Sequence, residues 1–222
     1  MVSINSSMTS PKSSLAKLVL CSKVKPFKVM VLGQSGVGKS ALVVRFITRR
    51  FIGEYDPNLE KTYTFQTVID NEMVYFEILD STGDPQKCES LENNIKWAEA
   101  FVLVYSVTDK CSFDECHRLK FLINYNKRRR RLASSVKIPV VLVGNKVDQT
   151  GDRMVTTEEG QRRSKEIGCV CFHEISVRES IDQVSHITDK LSFTRLRRQP
   201  KVIVSKNANQ SLYIGSRRNK SK

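Results

Sequence analysis

The sequence predicts an α/β fold, a doubly wound and mostly parallel sheet of six strands with one antiparallel strand. Two observations predict the parallel part. Val29-Met30-Val31-Leu32, Phe101-Val102-Leu103-Val104-Tyr105 and Val140-Val141-Leu142-Val143 are continuous apolar runs, as strands covered on both faces require. Segments with helical spacing lie between them, so strands and helices alternate. A third observation supplies the exception. Tyr63, Phe65, Thr67 and Ile69 alternate with more polar neighbours, as do Val74, Phe76 and Ile78, and Asp70-Asn71-Glu72 lies between the two sets. That is a hairpin signal.

Taken in order, the first strand runs into Gly33-Gln34-Ser35-Gly36-Val37-Gly38-Lys39-Ser40. A helical segment with Ala41, Leu42, Val44, Arg45 and Phe46 follows. A glycine-rich turn would explain the glycines alone; strand, loop and helix with the spacing GxxxxGK[ST] make a phosphate cradle. Backbone N–H groups converge there on a helix N-terminus whose dipole favours negative charge. Lys39 is expected at the β- and γ-phosphates and the Ser40 hydroxyl on magnesium.

Phe51 to Thr62 contains Gly53 and Pro57 and reads as irregular. The second hairpin strand ends in Asp80-Ser81-Thr82-Gly83. This places a carboxylate where it holds magnesium through water, and the Gly83 amide near a γ-phosphate. A long helix is expected from Phe113 to Tyr125. It ends in the basic run Lys127–Arg131, read as a solvated helix end where cations suit the dipole.

Val143-Gly144 leads into Asn145-Lys146-Val147-Asp148. A carboxylate held in plane accepts from both N1–H and N2–H₂ of guanine, a donor pair that adenine lacks. Asp148 is the expected reader of that edge, Asn145 braces the loop and the base edge, and the Lys146 stem covers the ring. Alone, this tetrapeptide is equally a turn after a strand; following two phosphate motifs at strand ends, it reads a base. A helix from Thr156 to Ile167 opens with a capping box, Thr156 and Glu159. A short strand from Cys169 to Ile175 leads to Ser176-Val177, and a last helix carries Ile181, Val184, Ile187 and Leu191. All four polar motifs fall at the carboxyl ends of strands, where such sheets bind ligands.

The 222 residues, 40% hydrophobic and 27% charged, suit one well-buried domain with tails. The expected domain is 26–194, with a Ser-rich basic extension at 1–25 and a basic tail at 195–222. Those ends hold four and nine Lys or Arg and no acid, so they carry all but about one of the +14 net charge. No run approaches eighteen apolar residues, and Leu15–Cys21, interrupted by Lys17, is too short for a secretory signal. The six cysteines form no CxxC pair, which argues against a metal site and fits a reducing compartment. Cys169 and Cys171, two apart on a strand, are expected to point the same way into the core.

These motifs resemble the Ras superfamily of small GTPases, from Phe27 to Leu191. Arg49 to Glu60, Trp97-Ala98 and Phe101 to Ser106 are most similar to the Ras branch, in the subgroup of the oestrogen-regulated growth inhibitor (RERG) and Ras-like family 12. The resemblance implies a GTP- and GDP-binding monomer that uses magnesium and meets effectors through residues 55–63 and 83–97. It also implies that Phe51 stacks on the guanine edge and that the Ser176-Val177 backbone approaches the base oxygen. Ser176-Val177-Arg178 departs modestly from the family's Ser-Ala-Lys.

Three departures fall on the chemistry. Asn58 stands where the family has a threonine whose hydroxyl ligates magnesium. Asp84 replaces the glutamine that orients the attacking water, and its charge is repelled by a γ-phosphate. Ser35 replaces a glycine and crowds the space for an arginine finger, which contributes about 10³–10⁵ in rate. The resemblance therefore implies slow hydrolysis and a weak response to arginine-finger activators. Lys61, where Ras carries an aspartate, argues against basic effectors. No cysteine follows Cys171, and the chain opens Met1-Val2, so no lipid anchor is expected. The basic tails suit an anionic membrane surface, nuclear import machinery, or solvent alone. A cytoplasmic location, with peripheral contact to the inner membrane surface, is expected.

Two functions remain open: a slow GTP-hydrolysing switch, and a GTP-binding interaction module with hydrolysis largely lost. A P-loop kinase ranks below both, because a base-reading motif is present and a lid segment is not.

Overall fold

A computed structural model describes residues 25–53, 60–69, 71–82, 88–128 and 138–180, together with Gln183 and Ile187. The chain runs β1 (Phe27–Leu32), α1 (Lys39–Thr48), β2 (Lys61–Ile69), β3 (Glu72–Asp80), α2 (Cys88–Trp97), β4 (Ala100–Ser106), α3 (Lys110–Asn126), β5 (Val140–Asn145), α4 (Thr157–Glu166) and β6 (Cys171–Glu174). The six strands form one sheet in the order β2-β3-β1-β4-β5-β6. Only β2 is antiparallel, paired to β3 from Lys61 opposite Asp80 to Ile69 opposite Glu72. Strand β2 begins two residues before its alternation and ends with it, while β3 runs two residues beyond its alternation at each end. Asn71, at φ 63°, supplies the left-handed residue that the turn needs.

The continuous apolar runs serve two cores. Val29, Val31, Val102, Val104, Val141 and Val143 pack toward Ala41, Leu42 and Val43 of α1 and toward Ile187. Their alternates Met30, Leu32, Phe101, Leu103 and Leu142 pack toward Ile95 of α2 and Phe113, Cys116, Leu119 and Ile123 of α3. With helices on both faces, β4 and β5 stay apolar until their last residues, Ser106 and Asn145, while β1 admits Lys28 next to its start.

Helix α3 starts three residues before its apolar periodicity, because Asp109 caps it by accepting from the N–H groups of Cys111 and Ser112. That carboxylate satisfies two of the orphan donors of the first turn. The capping box on α4 is present as expected, with Thr156 and Glu159 bonding reciprocally.

Two expectations are corrected. Lys127 is not on a solvated helix end: it is 2% exposed. Its ammonium donates to the carbonyls of Lys96 at 2.7 Å and Ala98 at 2.6 Å, closing the end of α2 where the chain turns into β4. A cation there answers two carbonyls at a helix C-terminus instead of its own dipole. Nor do Cys169 and Cys171 share a face. Strand β6 begins only at Cys171, which packs with the α1-side core. Cys169 sits in the turn after α4, its N–H bonded to the Ser164 carbonyl at 2.9 Å, and packs with the α3-side core.

The expectations for 1–24, for Arg129–Arg131, for most of the last helix and for the C-terminal tail lie outside the described residues. Among those that are described, no helix is long and apolar enough to cross a membrane.

Candidate guanine-nucleotide site

The loop between β1 and α1 is shaped by two close approaches. Gly33 has φ 154°, and a Cβ on it would lie 2.2 Å from the Val104 carbonyl oxygen of β4. Gly38 has φ 96°, and a Cβ there would lie 2.4 Å from Asn145 Nδ2. Both positions therefore demand glycine, on backbone and on space. Gln34, Ser35 and Gly36 form an exposed crest, while Val37 and Ala41 are buried beneath it. Gly38 is the N-cap of α1, whose end has no side-chain cap and no acid in its first turn. The orphan N–H groups there are the donors that a phosphate takes.

Lys39 and Asp80 meet below this loop. The Lys39 ammonium is buried and donates to the Gln34 carbonyl at 2.9 Å across the loop. Burial lowers its pKa, and the Asp80 charge pulls it partly back. Asp80, at the end of β3, is 3% exposed, and its Oδ1 has no hydrogen-bond partner among the described residues. Burial raises its pKa against the opposing hydrogen bond with Ser40 and the charge of Lys39, and Glu60 adds to the rise. A buried carboxylate oxygen without a partner, beside a hydroxyl, is a donor set that fits a hard divalent cation.

Asn145, at the end of β5, ties the motifs together. Its Nδ2 donates to the Val37 carbonyl at 2.8 Å, and its Oδ1 accepts from the Val177 N–H at 3.1 Å. Each end of the amide thus holds one of the two flanking loops, which makes Asn145 a brace between them. Lys146 follows at φ 67°, which swings the chain outward, and the Val147 N–H returns to the Ile175 carbonyl at 3.3 Å. Asp148 lies half-buried just beyond. The Ser176 N–H is taken by Gln183 Oε1 at 3.1 Å, and Arg178 is exposed. Phe51 is also exposed, just past the end of α1. Asn58, Gly83 and Asp84 lie outside the described residues.

Two contacts escaped the sequence reading. Arg153 bonds Glu174 through both terminal guanidinium nitrogens, at 2.8 and 3.3 Å, and Thr157 donates to the same carboxylate at 2.8 Å. This half-buried group sits behind the base loop, where the N–H groups of Met154 and Val155 both reach the Val107 carbonyl. Asn94 of α2 donates to Glu60 at 2.9 Å, joining the parts of the two expected effector segments that are described. Neither pair has a local sequence spacing that would reveal it.

A family model described as the Ras family matches residues 28–198. The Ras-related and estrogen-regulated growth inhibitor of Homo sapiens is 46% identical over 149 residues, covering 67% of this chain and 71% of that protein. Ras-like protein family member 12 of Homo sapiens is 40% identical over 71% of this chain and 57% of its own length. Ras-like protein family member 11B of Danio rerio is 37% identical over 83% of this chain and 75% of its own length.

Proposed function

The chain belongs to the Ras family, a small GTPase of the RERG and Ras-like subgroup, and from that premise we propose that it binds GTP and GDP with magnesium and turns GTP over slowly. The observation that carries this is Asn145. It holds the phosphate loop and the Ser176-Val177 loop at fixed positions about the segment that ends in Asp148, and a guanine nucleotide spans that arrangement from phosphates to base. The N–H groups from Gly36 to Ser40 and the Lys39 ammonium take the phosphates. Asp148 accepts from the guanine edge, and Lys146 and Phe51 cover the ring. Magnesium, when bound, neutralises phosphate charge, and Ser40 and Asp80 would hold it, with Asn58 as a weaker third donor.

Slow turnover follows from Ser35, Asn58 and Asp84. Each removes or obstructs a group that closes on the γ-phosphate, orients water or admits an arginine finger. Effectors are proposed to meet residues 55–63 and 83–97, with Lys61 setting against basic partners. Single-turnover hydrolysis of bound GTP tests the proposal. A rate below the order of 10⁻⁴ s⁻¹, unchanged by a Ras-type activator, supports it. Ordinary Ras rates with strong acceleration would overturn it. GTP that persists indefinitely would leave the second reading, an interaction module that binds without hydrolysing.

A further inference from the structure

The exposed end of α3 carries a surface that the nucleotide chemistry does not use. Phe121 is 60% and Tyr125 55% exposed, one helical turn apart, with rings 6.4 Å apart at 20°. The Arg128 guanidinium lies over the Tyr125 ring at 5.2 Å, and His117, a turn before Phe121, is exposed as well. Two large aromatics side by side in solvent are costly unless something covers them.

Charge and position say what covers them. From Cys116 to Arg131 the sequence holds seven Lys or Arg and no acid; of the four that are described, Lys120 and Lys127 are buried, while Arg118 and Arg128 are exposed. The two acids of α3 sit at its other end, where Glu115 pairs with Arg118 and Asp114 with Arg163. Helix α3 begins beside the end of β4, through the Asp109 N–H bond to Ser106, and ends beside its start, through Lys127 to Ala98. Phe121 and Tyr125 are therefore at the pole opposite the nucleotide site. Lys25 and Pro26 enter β1 at that same pole, bringing in an extension with four lysines and no acid.

We propose that this pole docks on an anionic phospholipid bilayer through Phe121, Tyr125 and Arg128. Aromatic rings seat at the headgroup level, and cations around them meet anionic lipid. The Tyr125 ring is already flanked by Phe121 and Arg128, which leaves it poorly placed to stack on a nucleobase as single-stranded RNA binding needs. Docked this way, the nucleotide site faces away from the membrane. The proposal does not depend on the rate of GTP hydrolysis.

Cosedimentation of the full chain, loaded with GDP, tests it, using phosphatidylcholine vesicles with and without about one-third phosphatidylserine. Binding only to the anionic vesicles is expected, weakened by high salt. The F121A/Y125A double variant should retain bound GDP and its melting temperature while vesicle partitioning falls by about tenfold, with a smaller fall for Arg128→Glu. Unchanged partitioning of the double variant would overturn the proposal and leave binding to the basic ends. So would an absence of vesicle binding, or capture of labelled single-stranded RNA that depends on Phe121 and Tyr125.

Discussion

Asn145 Nδ2 lies 2.8 Å from the Val37 carbonyl oxygen, a bond that joins the phosphate loop to the strand end 108 residues later. The same nitrogen would lie 2.4 Å from a Cβ on Gly38. Loop and side chain are fitted to each other, and each explains the identity of the other.

Asn145→Ala would leave the Val37 carbonyl and the Val177 N–H buried without partners. Each such group costs about 1–3 kcal/mol, so a loss of about 2–5 kcal/mol is expected in chemical denaturation. GDP should also dissociate faster, as read with a fluorescent analogue. Stability within about 0.5 kcal/mol of the unsubstituted protein would remove the bracing role.

Lys127→Met keeps the stem and removes the ammonium that closes the end of α2. Hydrogen bonds to charged groups contribute about 1.5–3 kcal/mol each, partly offset by the ammonium's own desolvation. A net loss of about 1–3 kcal/mol is expected, with faster amide exchange at residues 95–100. Exchange unchanged in that window would show that the α2 terminus holds without it.

Glu159 gives a pH prediction. The Lys110 ammonium first, and then the Thr156 N–H, hold its carboxyl below the usual value. The unfolded chain therefore binds the proton more readily, so this contribution is present at neutral pH and fades as pH falls through the native titration. Glu159→Gln keeps a capping side chain but not the titration. Its stability should decline less steeply between pH 5 and pH 3 than that of the unsubstituted protein, by denaturation at each pH. Parallel declines would assign the acid sensitivity elsewhere.

The sheet was legible because β1, β4 and β5 each carry a continuous apolar run and each motif sits where a strand stops. Gly38 and Lys39 were readable from the spacing of the phosphate loop, and Asp80 and Asn145 only from their order after it at strand ends. Lys127 was not, because five adjacent basic residues look alike until one of them meets two orphan carbonyls from another helix. Cys169 and Cys171 misled for a related reason: strand alternation holds only where the strand has begun. Arg153–Glu174 and Asn94–Glu60 are long-range pairs with no local pattern, so only the fold brings them into view.

Identification of the nucleotide that co-purifies with the full chain, by separation and mass after denaturation, tests the central claim most directly. Near-stoichiometric guanine nucleotide is expected, with bound GTP declining slowly to GDP, and with both lost in Asp148→Ala. Adenine nucleotide in its place, or a guanine nucleotide retained equally well without Asp148, would contradict the account.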